Sequence, residues 1–280
     1  MKRFAFQQVD VFSAIPLKGN PLAVVLGADG LSDPEMATFA NWTNLSETTF
    51  LSAPAHPDAD YKVRIFTPAR ELPFAGHPTL GSCHVWLAAG GKPKSNVIIQ
   101  ECGVGLVRIR RDGARLAFAA PPLLQSGPIA PAMIDQIARG LGIDRAAIRD
   151  AQWADNGPGW MAVLLSSRAE VLALKPDPVE MGQLKLGVVA PWDPAVDGTE
   201  AQFEVRALYP GIANGEDPVT GSLNAALAQW LIGAGIAPAS YVAAQGTVLG
   251  RAGRVFVDKI GEDVWIGGHS TTCVEGFVKF

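Results

Sequence analysis

Two segments hold residues whose types and spacing suit chemistry. They are HPTLGS, from His77 to Ser82, and DPVTGS, from Asp217 to Ser222, 140 positions apart in a chain of 280. Each sets a polar residue before proline and a glycine before serine, at the entry to an apolar helical stretch. Free N–H groups at a helix start attract an anion, and glycine lets a ligand come close to the backbone. Ser82 and Ser222 add hydroxyl donors. Two such starts facing one another across a domain cleft could hold a small carboxylate and stabilise negative charge developing beside it. The same letters also have a purely structural use. Asp217 can cap a helix while Pro218 takes the first turn, where a missing N–H costs nothing. His77 and Pro78 mimic that arrangement, although histidine is a poor cap. LSETTF supplies a candidate base in Glu47, at the start of a strand or in a loop. Exposed, it is a solvated side chain; partly buried in a cleft, its pKa would rise into a range useful for acid–base work.

The elements around these residues repeat. YKVRIFTP (Tyr61 to Pro68) reads like FEVRALYP (Phe203 to Pro210), 142 positions later. Both alternate as half-exposed strands do and stop at proline. Each leads to its junction, then to an apolar helix closed by glycines (GSCHVWLAAGG and GSLNAALAQWLIGAG), then to a hairpin (VGLVRIRRDGARLAFA and GTVLGRAGRVFVDKI). An internal duplication explains the order, the shared letters and the near-equal offsets. GNPLAVVL adds a strand, and LSDPEMATFANWTN a helix opened by a Ser32–Glu35 capping box. Met133 to Leu141 and Pro178 to Leu186 are further elements. PPLLQSGPIAP, from Pro121 to Pro131, reads as an irregular interdomain link.

Bulk properties exclude several classes. With 48% hydrophobic and 18% charged residues and a net charge of -4, the chain is globular rather than disordered. RIRRDGAR, the densest basic patch, is a water-facing hairpin edge, which argues against a nucleic-acid partner. Three cysteines and four histidines show neither a disulfide framework nor a zinc pattern. The start of the sequence lacks a signal-peptide core, and AALAQWLIGAGIA is too short to cross a membrane, so the expected location is the cytoplasm.

DVFSAIPLKGNPLAVV, LSETTF, RIFTPARELPFAGHPTLGS, QECGVG and GEDPVTGSLN resemble the successive blocks of the phenazine-biosynthesis PhzF-like family. The resemblance implies an α+β, diaminopimelate-epimerase-like fold. Two pseudo-symmetric domains would each wrap a curved, mostly antiparallel sheet around a central helix, with the site between them. Residues 1–120 plus 270–280 would form the N-terminal domain and 121–269 the C-terminal one, the chain end returning to the first. Homodimers are usual in the family.

Carried over residue by residue, the resemblance makes Glu47, His77 and Asp217 catalytic. Gly76, Gly221, Ser222 and Asn20 become substrate-binding. It implies an isomerase acting without cofactor on a small anionic carboxylate substrate. Glu47 would move a proton and a double bond, while His77 and Asp217 orient or relay. Related epimerases place a cysteine thiol at each helix start; here Cys83 lies beyond His77 and no cysteine adjoins DPVTGS, which disfavours a two-thiol racemase. Two rival readings stay open: a cofactor-independent epimerase of a hydroxy or amino acid, and a non-catalytic small-molecule binding protein. A serine hydrolase is disfavoured because Ser222 lacks the GxSxG elbow, and the glycines form no nucleotide-binding loop.

Overall fold

A computed structural model describes residues 2–280, the side chain of Ala213 excepted. The first part of the chain runs β1 (Arg3–Val11), β2 (Asn20–Val25), α1 (Asp33–Thr43), β3 (Thr48–Ser52), β4 (Tyr61–Phe66), β5 (Glu71–Leu72), α2 (Gly76–Ala88), β6 (Val97–Cys102), β7 (Gly105–Asp112) and β8 (Arg115–Ala119). Then follow β9 (Gln125–Pro128), α3 (Pro131–Leu141), β10 (Asp150–Asp155), β11 (Met161–Leu164), α4 (Arg168–Ala173), α5 (Pro178–Met181), β12 (Leu186–Pro191), β13 (Phe203–Leu208), β14 (Glu216–Asp217), α6 (Gly221–Gly233), β15 (Ser240–Gln245) and β16 (Gly253–Ile260). β17 (Asp263–Gly268) and β18 (Ser270–Lys279) close the sequence. Contacts group residues 1–119 with 267–280 as one compact unit and 120–266 as a second.

The first unit pairs its strands as β18-β1-β2-β3-β4-β6-β7-β8, with β2–β3 and β4–β6 parallel and the other pairs antiparallel. The sheet wraps α2, which packs on β1, β2, β3, β4, β8 and β18. A helix covered this way needs no polar face, and residues Gly76 to Cys83 are all buried. Gly81 marks the closest approach: a Cβ there would lie 2.6 Å from the Leu22 side chain and 2.9 Å from that of Val11. α1 starts at the expected capping box, in which Ser32 Oγ receives the N3 backbone N–H and the Glu35 carboxylate accepts the Ser32 backbone N–H. Behind it a small apolar cluster joins Val25, Met36, Phe50 and Phe66.

The second unit repeats the plan. Its order is β9-β10-β11-β12-β13-β15-β16, with β11–β12 and β13–β15 parallel and the others antiparallel. α6 is the buried helix here, with Leu223 through Ala228 all inside. The segment Pro121 to Pro131 is not irregular: β9 lies within it and pairs with β10, because a proline at a strand end takes no donor from the ladder. The strand FEVRAL is buried along its whole length, so its alternation does not mark an exposed face. Its charged members are inside because they are paired, as the Arg206–Glu216 contact below shows.

Backbone registry corrects the alignment of the two junctions. Phe66 pairs with Glu71 and Leu208 with Glu216, and α2 and α6 begin five residues after each glutamate, at Gly76 and Gly221. From these pairs onward the halves are 145 positions apart, and the 140-position match of HPTLGS to DPVTGS is a slip of five. His77 is therefore the second helical residue rather than a cap. Pro78 is third, still within the turn whose N–H groups have no acceptor inside the helix. Asp217 and Pro218 lie ahead of α6, and Thr220 is its N-cap. Gly76 matches Gly221, and His77 matches Ser222.

Candidate active site

The first unit gathers four of the expected residues. Glu47 is the last residue before β3, and Gly76 and His77 are the first two of α2. Asn20 opens β2. Asn20 Nδ2 lies 3.3 Å from His77 Nδ1. An amide nitrogen only donates, so Nδ1 accepts and the ring hydrogen sits on Nε2. That Nε2 lies 3.3 Å from Glu47 Oε2, with 6% of the His77 side chain and 16% of the Glu47 side chain exposed. The distance alone would suit an ion pair. Burial, however, lowers the His77 pKa from 6.5 to about 3, so the ring is neutral near pH 7. Glu47 thus has an uncharged imidazole nitrogen beside it, close by but outside hydrogen-bond geometry.

Hydroxyl groups hold this arrangement. Ser82 Oγ, two turns inside α2, donates to Thr49 Oγ1 on β3 at 2.9 Å, which ties the helix to the strand after Glu47. Ser82 is fully buried and is a tether, not a donor at the helix terminus. Thr79 Oγ1 donates to the Ala75 carbonyl at 2.9 Å and accepts from Gln100 Nε2 at 3.1 Å. Tyr61 in turn donates to Gln100 Oε1 at 2.9 Å. Asp10 Oδ2 accepts the backbone N–H groups of Lys18 at 2.6 Å and Gly19 at 2.7 Å, folding the loop that delivers Asn20. Gly19 is required there, since a Cβ would come 2.2 Å from the Val11 carbonyl oxygen.

The second unit gathers Asp217, Gly221 and Ser222. Thr220 Oγ1 donates to Asp217 Oδ2 at 2.5 Å. The buried Gln245 fixes the turn from four directions. Its Oε1 accepts Thr220 N–H at 3.0 Å and Asn224 Nδ2 at 2.8 Å, while its Nε2 donates to the Asp217 carbonyl at 3.1 Å and to Thr220 Oγ1 at 3.0 Å. Asn224 also donates to the Thr220 carbonyl at 2.9 Å. Ser222 Oγ accepts the Trp160 indole N–H at 3.1 Å, and the Ser222 carbonyl accepts Asn156 Nδ2 at 2.8 Å. Sequence reasoning did not find Gln245, Asn224, Asn156 or Trp160. The turn letters DNGPGW before β11 could have pointed to the last two; a lone glutamine in a strand carries no such signal.

Registry also shows which residue of the second unit takes the position of Glu47. Thr48 pairs with Phe66 and Leu186 with Leu208, so Glu47 corresponds to Lys185. Lys185 Nζ donates to the Pro158 carbonyl at 2.8 Å and lies 4.6 Å from the centre of the Tyr209 ring. Asp217 corresponds to Leu72. Cys83 and Cys102 are buried, with burial pushing the Cys83 thiol up to about 12, which is no state for a nucleophile. Among the described residues no three or more His, Cys, Asp or Glu side chains form a group that could hold a metal ion. No described helix is long and apolar enough to cross a membrane.

A profile described as "Phenazine biosynthesis-like protein" matches residues 9–276. The chain belongs to that family. It is 37% identical to "Antisense-enhancing sequence 1" of Schizosaccharomyces pombe, covering 99% of each chain. It is 32% identical to "Trans-2,3-dihydro-3-hydroxyanthranilate isomerase" of Pseudomonas chlororaphis, over 79% of this chain and 77% of the relative. A crystal structure of an Enterococcus faecalis phenazine biosynthesis protein of the PhzF family superposes with a TM-score of 0.82 at 25% identity, covering all of both chains. The fold is diaminopimelate-epimerase-like, and the chain is an isomerase of this family.

Proposed function

We propose that this isomerase moves a proton, and with it a double bond, on a small substrate bearing a carboxylate, with Glu47 as both base and acid and without a cofactor. The observation that carries the reading is the Glu47–His77–Asn20 chain, in which a partly buried carboxyl group meets a neutral imidazole N–H of fixed tautomer. Glu47 takes a proton from an sp3 carbon. The C–H electron pair becomes part of a shifted double bond, and the same carboxyl group returns the proton at the far end of the conjugated system. No electrons leave the substrate. The His77 N–H steadies the Glu47 carboxylate and keeps it turned toward its work without adding a competing positive charge.

Gly76, Gly221 and Ser222 bind the substrate's carboxylate and neighbouring groups in this reading. First-turn N–H groups of a helix and a serine hydroxyl suit an anion. Asp217, joined to Thr220, is a polar site residue that orients the turn or relays a proton. Cytoplasmic location and a homodimer belong to the same proposal, resting on composition and on the family resemblance. The Pseudomonas relative's name makes a dihydro-hydroxyanthranilate the first substrate to try.

The test is proton NMR in deuterated buffer with trans-2,3-dihydro-3-hydroxyanthranilate and a panel of unsaturated, hydroxy and amino carboxylates. Deuterium should enter at a carbon whose double bond has moved, and Glu47→Gln should stop it. Label entering with loss of stereochemistry and no bond migration would replace this reading with epimerisation. Exchange that survives Glu47→Gln would remove Glu47 from the chemistry.

A further inference from the structure

Ser222 has one proton to give, and its environment decides where that proton goes. A serine hydroxyl is one donor and two acceptor sites, whereas an indole N–H only donates. Trp160 Nε1 donates to Ser222 Oγ at 3.1 Å. One acceptor site of the hydroxyl is thereby filled from the protein side. Its O–H has no protein acceptor among its hydrogen bonds, and Ser222 is only half-buried, on the first turn of α6.

The segment that brings the indole there is anchored at several points. Asp155 Oδ1 accepts the N–H groups of Gly157 at 2.7 Å and Gly159 at 2.6 Å, which folds the turn. Gly157 and Gly159 have φ of 131° and 90°, the region open to glycine, so the turn depends on them. Lys185 Nζ binds the Pro158 carbonyl at 2.8 Å, and Asn156 Nδ2 binds the Ser222 carbonyl at 2.8 Å. Trp160 itself is 5% exposed, so its ring has little freedom to turn. A loop held to a helix start by both its ends fixes the direction of one hydroxyl.

We infer that Trp160 is a positioning residue that fills one acceptor site of Ser222 and turns its O–H outward as a donor at the start of α6, favouring a ligand with a carboxylate there. This inference rests on the substrate-binding role of Ser222 proposed above. An anionic oxygen accepts the outward O–H together with the first-turn N–H groups. A ligand offering a donor at that point finds only the one remaining acceptor site of the hydroxyl, among N–H groups that only donate. Lys185 acts at one remove, by holding Pro158.

The experiment is an NMR titration of 15N-labelled protein with benzoate, a carboxylate that undergoes no proton transfer. Benzoate should shift the Gly221 and Ser222 amides and the Trp160 indole N–H, while benzamide, which carries no charge and has an N–H donor in place of one acceptor oxygen, should bind at least tenfold more weakly. Trp160→Phe keeps the ring but removes the N–H, and should weaken benzoate five- to twentyfold. Ser222→Ala should weaken it similarly, and the double variant no further, because the two act through one bond. Additive losses would show a packing role for Trp160 and overturn the inference, as would unchanged affinity in Trp160→Phe or no benzoate response at α6. Unchanged amide spectra away from the site check that the variants are folded. The proposed reaction fails separately: benzoate can bind as expected while deuterium exchange survives Glu47→Gln.

Discussion

The two halves share a backbone plan but present different residues at their helix starts. At the start of α2 stands a neutral histidine, with Glu47 beside it. At the matching start of α6 stands Ser222, and the place of Glu47 is taken by Lys185, which is turned to a loop carbonyl. One helix start is built around a proton acceptor. The other is built from donors: the Ser222 hydroxyl, the indole behind it, and the N–H groups of the first turn. The supporting polar contacts have survived in both. Thr79 and Asn224 each reach back to the carbonyl of the residue before the helix, and each meets a buried glutamine from the following strand. Duplication thus kept the scaffold that presents two residues and changed the residues presented.

The sharpest way to break this comparison is at Glu47. Glu47→Gln should lower proton exchange by about 1,000-fold, in the middle of the usual range for a lost acid–base group. Lys185→Met, in the corresponding place, should lower it by no more than about tenfold, through a looser loop. Equal losses, read by deuterium incorporation, would mean that the halves share the chemistry after all.

Next comes a matched pair of arginines. Arg206 Nη2 meets Glu216 at 2.7 Å with both side chains almost wholly buried, and its Nη1 donates to the carbonyls of Val171 and Leu174. Arg64 makes the equivalent contact to Glu71 at 2.7 Å with both side chains partly in water. Removing one partner of a buried pair strands the other charge. Arg206→Met should therefore cost about 3–5 kcal/mol, and Arg64→Met about 0–1 kcal/mol. Urea denaturation of the two variants reads both.

The pH dependence distinguishes the helix starts more gently. His77 has a folded-state pKa of about 3, below its ordinary value of 6.5. Between those values the unfolded chain binds a proton that the folded chain refuses, so stability is full above pH 6.5 and falls as pH drops toward 3. The slope contributed approaches about 1.4 kcal/mol per pH unit. His77→Gln should remove that slope from urea titrations run between pH 7 and 4, whereas Ser222→Ala should leave it. Thr79→Val, which deletes a hydroxyl bonded on two sides, should cost about 1–2 kcal/mol in the same assay.

Much of this architecture was legible. The matched strands RIF and RAL, the two glycine-closed helices and the first hairpin follow from period and turn letters, and the capping box at Ser32 is read directly. The second hairpin was misread: Thr247–Leu249 in GTVLGRAGRVFVDKI forms a short 3-10 turn, and β16 pairs instead with β15. Residue types and spacing offered His77 and Glu47 only as candidates; their catalytic roles, and Asn20 altogether, came from the family's blocks. The register of the two junctions was not legible, because letter identity favoured GS over GS while the helix start is set by the short strand pair four to five residues earlier. Ser82 was misplaced for the same reason. The buried charges of FEVRAL were hidden because an alternating strand looks half-solvated until its Arg206 is seen to have a buried partner. Trp160, Gln245 and Lys185 reach their targets through tertiary contacts across 21 to 62 residues, which no local pattern encodes.

One further consequence lies in the pairing of β1 with β18. Arg3 faces Lys279, and the ladder continues to Val11 opposite Ser270. During synthesis β1 must therefore wait for β18, whereas β9 to β16 find sheet partners among themselves sooner. The half that carries Glu47 keeps an unsatisfied strand edge until residue 279 has been made. Vectorial synthesis thus delays completion of the half that carries Glu47, and any chaperone that shields a growing chain has an open edge to protect at β1.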